Sequence, residues 1–346
     1  VTWYDTIVIG GGQAGLAAGY HLARRDVDFT ILDAGNRAGS SWRNRWDSLR
    51  LFTPARYSGL PGMAFPAAPG HLPDKDEVAD YLERYAERFD LPVRSNMPVT
   101  SLRRDGNEFV LEAGGAVLTA GNVVVATGPF QQPRTPALAA QLRADIRQLH
   151  SRDYRNPSQL PPGAVLVVGA GNSGAQIALE LSVFRDVTLA GRDIPRLPRK
   201  VLGADVFRWV WPAFRRFTLN TRLGRRLRER SRSGDPLIGI GPRDFAAHGI
   251  RRVGRVTEVR DGLPWAEGAP LDVASVVWAT GFAPDYRWIE IPAFNPDGAP
   301  RHARGVTEVP GLYFVGLRFQ YRQSSALIGG VGEDADFIAG EIVRRG

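Results

Sequence analysis

The stretch TIVIGGGQAGLAAGYHLARRDVDFTILDAG, residues 6–35, decides the architecture. A β-rich apolar run ends at Ile9 and leads into Gly10-x-Gly12-x-x-Gly15. A helical pattern follows through Leu16, Ala17, Tyr20 and Leu22, and a second apolar run, Phe29 to Leu32, delivers Asp33. Each part has a mechanical reason in a dinucleotide-binding unit. Gly10 permits a tight turn, Gly12 lets the backbone approach a pyrophosphate, and Gly15 lets helix and strand pack closely. The helix that opens at Gln13 and Ala14 would present free N–H groups and its positive dipole end to the phosphates. Asp33, with Ala34 beside it, sits where an acid accepts hydrogen bonds from a ribose hydroxyl pair. A lone glycine pattern is weak evidence. The strand, the helix and the acid at the right distance make this one specific.

The pattern recurs in AVLVVGAGNSGAQIALELSVFRDVTLAGRD, residues 164–193. An apolar run, Val165 to Val168, leads into Gly169-x-Gly171-x-x-Gly174, with Asn172 and Ser173 opening the helix and a second run ending near Ala190. The residue that matches Asp33 by spacing is Arg192. An acid there suits a ribose 2′-hydroxyl, whereas an arginine suits a 2′-phosphate through charge-assisted hydrogen bonds. The first site therefore reads as FAD and the second as NADPH, with NADH as an alternative. Arg196, Arg199 and Lys200 follow in the next loop and are open as helpers.

A second pair of echoes supports duplication. Val123 to Gly128 and Val276 to Gly281 are both apolar strands ending in Ala-Thr-Gly. Continuous apolar strands suit a parallel sheet buried on both faces. The glycine after each strand lets the backbone turn close to a nucleotide. Ala126, Thr127 and Gly128 in one copy, and Thr280 and Gly281 in the other, are thus candidate cofactor contacts. The expected fold is α/β, with two Rossmann-like domains, the second inserted in the first. The FAD-binding domain takes residues 1–157, the NADPH-binding domain 158–282, and residues 283–346 complete the first. The run from Gly329 reads as a turn opening a final helix, whose N-terminus is suited to face the flavin or its pyrophosphate or serves packing alone. Residues 207–236 mix tryptophan and phenylalanine with many arginines and are broken by Pro212; they read as helical cover with snorkelling arginines, with a substrate-access lid or a membrane-surface contact as alternatives.

Composition narrows the function. A chain of 346 residues is comfortable for two nucleotide-binding units. Its net charge of +8 comes mainly from scattered arginines, without a recognisable nucleic-acid module, so no nucleic-acid partner is expected. No apolar run approaches the roughly 18 residues of a membrane span, and strand-like sequence begins near residue 6, so a cytoplasmic protein without stable membrane insertion is expected. Cysteine is absent altogether. That removes disulfides, thiolate metal sites and thiol nucleophiles, and with them the redox-active cysteine pair on which flavin disulfide reductases depend. No metal site is expected.

With these motifs in place, the chain resembles the flavin-containing monooxygenases, above all the small bacterial members described as CzcO-like flavoproteins. The resemblance covers nearly the whole chain. It rests on GGGQAG (10–15), GSSWRNRWDSLRLFTPARYSGLPG (39–62), ATGPFQQPRTP (126–136), QLHSRDYRNP (148–157), GAGNSGAQIA (169–178), ATGFAPDY (279–286) and GLYFVGL (311–317) with SALIGGVGEDADFIA (325–339). It implies that Gly10, Gly12, Gly15 and Asp33 hold the FAD pyrophosphate and ribose. Gly39, Ser40, Trp42 and Arg43 would follow along the same cofactor. Leu49 to Pro54, with Phe52 and Thr53, would lie beside the isoalloxazine, and Val99 would meet the adenine. Trp46 reads as core packing.

Two departures from the family pattern matter. Its identifying sequence is FxGxxxHxxx followed by an aromatic residue. His150 and Tyr154 satisfy the second half, but Ala144 and Ile146 stand where Phe and Gly are expected. Eukaryotic-type members carry an asparagine near the flavin, in a region that corresponds here to Thr53-Pro54. Assistance to the reaction then falls to Thr53, to Asn172, to the bound NADP⁺ or to none, and His150 reads as a structural histidine linking the domains. The resemblance implies an NADPH-dependent monooxygenase in which reduced FAD and oxygen form a C4a-(hydro)peroxide that oxygenates a sulfide or amine. Such chemistry belongs to the cofactors, and the protein supplies orientation and shelter from water. Two other readings stay open: an NAD(P)H oxidase or flavin reductase without oxygenation, and a redox-sensing regulatory flavoprotein. The expected partners are a small-molecule substrate and molecular oxygen, and the sequence leaves a homodimer open.

Overall fold

Strand Thr2–Ile9 lies at the centre of the first sheet, parallel to Phe29–Leu32 on one side and to Ala116–Val125 on the other. The computed structural model describes residues 2–231 and 234–345; residues 232 and 233 of the arginine-rich stretch lie outside the described residues. Leu312–Phe314, from the far end of the chain, pairs in parallel with Ala116–Val125, so residues beyond 283 return to complete this sheet. A ribbon, Val99–Asp105 with Glu108–Ala113, is joined antiparallel to Ala116–Val125. The second sheet is parallel throughout, in the order Arg251–Val253, Val187–Ala190, Val165–Val168, Ser275–Trp278, Arg147–His150. The fold is α/β, built on parallel strands.

Burial explains why the two central strands carry no alternation of polar and apolar residues. Ile7, Val8, Val165, Leu166 and Val167 are all fully buried, because helices and loops cover both faces of each sheet. On one face of the first sheet, Val8, Ile31 and Val124 pack with Leu16 of helix Gln13–Ala23 and Ile338 of helix Gly332–Arg345. On one face of the second, Val165, Val167 and Val277 pack with Ile177 and Leu181 of helix Asn172–Leu181. Trp46 and Leu49, from the first half of the chain, join this second core. Leu51 of the same stretch packs in the first core, so segment 40–54 is fixed against both sheets.

The aromatic, arginine-rich stretch forms helices Phe207–Arg216 and Arg222–Ser231. Pro212 does not break the first of these; the chain leaves the helix only at Phe217. Proline removes one backbone donor and crowds the preceding turn. Against that cost, Phe207 is fully buried and stacks on Phe52, while Trp211 packs on Tyr57. The first turn of Gly332–Arg345 is held by ion pairs, Glu333 to Arg215 at 2.5 Å and to Arg322, and Asp334 to Arg304 at 3.1 Å. Among the described residues no helix is long and apolar enough to cross a membrane.

Candidate active site

The two glycine loops are near copies in three dimensions. Gly10 has φ +110° and Gly169 φ +112°, a region that side chains rarely adopt. A Cβ on Gly10 would stand 2.7 Å from the Ala126 carbonyl oxygen, and one on Gly169 would stand 2.2 Å from that of Ala279. Each loop is thus pressed against its own Ala-Thr-Gly turn. Gly12 and Gly171 cap the following helices without any side-chain hydrogen bond, and nothing lies within 4 Å of a Cβ built on either. Open space above uncapped helix N–H groups is what a pyrophosphate requires. Both cradles fit a dinucleotide.

The acid and the base at the matched position differ as the sequence says. Asp33 takes hydrogen bonds through Oδ2 from the Gly11 amide at 2.5 Å and through Oδ1 from the Gly35 amide at 2.7 Å, which fixes the carboxylate at the loop. Arg192 is exposed at the end of strand Val187–Ala190. Arg199 is paired with Asp205 at 2.5 Å and donates to the Phe52 carbonyl, while Arg196 and Lys200 are exposed.

A cavity of about 290 Å³ opens where these parts meet. It is lined by Gly10, Gly12, Gln13, Ala14 and Asp33 of the first loop, by Trp42, Leu49 and Phe52, by Ala126, Thr127 and Gly128, and by Asn172 and Ser173 of the second loop. Trp42 Nε1 donates to Gln13 Oε1 at 3.2 Å, which aligns the indole along the cavity. The Asn172 amide is held by the 236–238 loop, donating to the Pro236 carbonyl and accepting from the Ile238 amide. Gln176 clasps the backbone of Arg50 through both amide atoms, at 3.2 and 3.0 Å. The second helix is thereby tied to segment 49–54.

The remaining predicted residues lie outside the lining. Gly15 and Gly174 are packed beneath their loops, each with a virtual Cβ 1.8 Å from the oxygen of its motif's first glycine. Gly39 (φ +79°) starts helix Ser40–Arg43 hard against Ala79 of helix Lys75–Arg88, and the Ser40 hydroxyl bonds the Arg37 carbonyl at 2.6 Å. Arg43 is paired with Asp80 and Glu83 at 2.6 and 2.7 Å. Thr53 is buried and accepts from Ser58 Oγ at 3.1 Å. Ala34 is exposed, Val99 packs with the ribbon, Thr280 Oγ1 donates to the Arg134 carbonyl, and Gly281 receives His150 Nε2–H at 3.1 Å.

His150 has both ring nitrogens in use, since Nδ1 accepts from the Arg152 amide. Burial lowers its pKa, so the ring is held neutral and serves as a clamp between strand Arg147–His150 and the second Ala-Thr-Gly turn. Several lining residues escaped the sequence reading: Arg45, Phe130, Ser151, Phe282 and Gly316. Phe130 and Phe282 had a signal, because each comes within two residues of an Ala-Thr-Gly echo. Trp46, read as packing, is indeed buried in the core, yet it also lines the cavity, and its indole N–H finds no acceptor.

A family model for pyridine nucleotide-disulphide oxidoreductases matches residues 7–316. The chain belongs to that family. A CzcO-like oxidoreductase of Geobacillus kaustophilus, described as uncharacterized, is 45% identical, the match covering 98% of each chain. The indole-3-pyruvate monooxygenase YUCCA1 of Oryza sativa subsp. japonica is 29% identical over 91% of this chain and 87% of its own. Among solved structures, a flavin-containing monooxygenase from Stenotrophomonas maltophilia superposes with a TM-score of 0.83 at 29% identity, covering 99% of both chains. The protein is thus an oxidoreductase with flavin monooxygenases among its relatives. Its family name mentions disulphides, but a chain without cysteine has no thiol pair of its own to exchange with one.

Proposed function

We propose that this oxidoreductase is an FAD-dependent, NADPH-consuming monooxygenase that transfers one atom of molecular oxygen to a small soft nucleophile, a sulfide or an amine. The observation that carries the reading is the opening of two uncapped glycine-loop helices onto one cavity, the first through Gly12, Gln13 and Ala14 and the second through Asn172 and Ser173. In this reading residues 1–157 and 283–346 form a Rossmann-like fold for FAD. Residues 158–282 form a second for NADPH, with strand Arg147–His150 added at its sheet edge. FAD and NADPH held there supply hydride exchange and the activation of oxygen.

The chain's own part is placement and shelter. The first-turn amides after Gly12 and Gly171 grip the two pyrophosphates. Asp33, oriented by the Gly11 and Gly35 amides, receives the ribose hydroxyls of FAD, and Arg192 receives the 2′-phosphate of NADPH. Trp42, Trp46, Leu49 and Phe52 make the wall largely apolar, which keeps water from the reacting centre. Asn172 stays at the cavity as the polar side chain beside the second loop, and Thr53 holds the turn that follows Phe52 through Ser58.

The test is to follow NADPH, hydrogen peroxide and product together under ¹⁸O₂, against a panel of sulfides, amines and ketones. Labelled sulfoxide or N-oxide in near-equal amount to the NADPH consumed supports oxygenation. Peroxide accounting for all of the NADPH would make the protein an oxidase. The choice of nicotinamide cofactor has its own test. Arg192→Ala is expected to weaken NADPH binding by about 1–3 kcal/mol and leave NADH nearly unaffected. Equal losses for both would remove Arg192 from the 2′-phosphate.

A further inference from the structure

Arg45 is the cavity's unexplained residue. Its guanidinium carbon lies 5.0 Å from the ring centroid of Phe130 and 5.4 Å from that of Phe282, and those rings meet edge to face at 5.4 Å. Each phenylalanine follows one of the two Ala-Thr-Gly turns, so a side chain from segment 40–54 rests where both folds end. Among the described residues no carboxylate pairs with it. Asp47, the nearest acid in sequence, bonds Asn156 at 2.8 Å and faces Lys75 at 3.6 Å. The acid in the lining, Asp33, is taken by the Gly11 and Gly35 amides. The charges that bear on Arg45 are those of Arg152 and Arg155, and burial together with these two cations pushes its pKa down to about 10. A half-buried cation among cations is costly unless an anion arrives. In the same cavity the indole N–H of Trp46, itself 5% exposed, is a second donor without an acceptor.

The sheet order says which anion. In the second sheet, Val187–Ala190 and Ser275–Trp278 flank the motif strand Val165–Val168 on opposite sides. A dinucleotide laid over such a loop keeps its adenosine half on the side of the residue that reads the ribose, here Arg192. Its pyrophosphate lies at the helix N-terminus, and its other half extends to the opposite side. Phe282, just beyond strand Ser275–Trp278, marks that opposite side. Ser151, also in the lining, is bonded there through its amide to the Trp278 carbonyl at 2.9 Å. We propose that Arg45, with the Trp46 indole, forms an oxyanion subsite that grips the pyrophosphate of the nicotinamide dinucleotide from the flavin side of the cavity. This rests on the reading of the second loop as a nicotinamide site. It gives segment 40–54 a hold on both cofactors: Trp42 and Phe52 for one, Arg45 for the other.

The experiment measures dissociation constants of NADP⁺ and NAD⁺ for the flavin-loaded protein, by titration calorimetry, in wild type, Arg45→Gln and Arg45→Lys. Arg45→Gln is expected to raise both constants by the same factor, about tenfold to a hundredfold. Arg45→Lys, which keeps the charge, recovers part of the loss. Flavin content and the thermal midpoint of the loaded protein stay near wild type. Unchanged constants in both variants overturn the proposal, as does a loss confined to NADP⁺, which would place Arg45 at the 2′-phosphate. Loss of bound flavin assigns the subsite to FAD instead. Unchanged dinucleotide binding with a raised KM only for carboxylate-bearing substrates assigns it to the substrate. A wild-type protein that binds neither dinucleotide overturns the nicotinamide reading itself. Wild-type binding with an unmoved Arg45→Gln overturns this inference alone.

Discussion

Gly174→Ala is expected to yield a protein that still carries flavin but has lost nicotinamide-dinucleotide binding, and Gly15→Ala a folded protein without flavin. The expectation rests on one distance that occurs twice. A Cβ on Gly15 falls 1.8 Å from the Gly10 oxygen, and one on Gly174 falls 1.8 Å from the Gly169 oxygen. Neither neighbour is a flexible side chain. Each is the backbone of the first glycine, pinned at a positive φ against its Ala-Thr-Gly turn. Relief requires the helix to move away from the strand, which carries the cradle amides away from the phosphates. We expect a loss of at least about 3 kcal/mol, a hundredfold or more in affinity, at the loop that bears the change. Flavin absorbance of the purified proteins reads one site and NADP⁺ titration the other. Loss of flavin from both variants alike would mean that the two loops do not serve separate ligands.

The loops were legible in the sequence because their constraint is local and steric. Only glycine satisfies a positive φ and a close helix–strand contact, so the spacing of three glycines reports the geometry directly. The wholly buried parallel strands were legible for a similar reason, as apolar runs without alternation. What the sequence could not reveal arises from contacts between distant segments. Arg45 looks like one more arginine until Phe130 and Phe282 are brought to either side of it. Trp42 and Arg43 are neighbours in the chain, yet one lines the cavity and the other turns to Asp80 and Glu83. Successive residues on a helix point about 100° apart, and only packing decides which faces inward. Pro212 shows the same limit from the other side. Its local preference against helix is overridden by aromatic burial that depends on Phe52 and Tyr57.

Acidification should weaken the fold through His302 before most carboxylates titrate. His302 lies in the hairpin His302–Ala303 with Val306–Thr307 at the edge of the first sheet, and its Nδ1 accepts from the Gly305 amide at 3.0 Å. Gly305 has φ +93° and packs on Phe314 and Gln320, so this turn is anchored to the core. Burial pushes the imidazole down to about 4, and Arg228 acts in the same direction. In the unfolded chain the ring titrates near about 6.5. Below that value the unfolded state binds a proton that the folded state refuses. The stabilisation is therefore complete above about pH 6.5 and lost progressively as the pH falls toward 4. At about 1.4 kcal/mol per pKa unit, the total is roughly 3 kcal/mol. His150, also lowered by burial, adds to the same slope. Glu77 and Asp285, whose pKa values are lowered by their partners His71 and Arg287, lose their contribution only below about pH 4.5. Urea unfolding of the flavin-loaded protein at pH 7 and pH 4.5 measures the sum, and the same pair of curves for His302→Gln isolates this residue. The variant should lose markedly less stability than wild type over that interval. An identical loss in both would show that the ring accepts its proton without cost, and that the Gly305 contact does not hold it neutral.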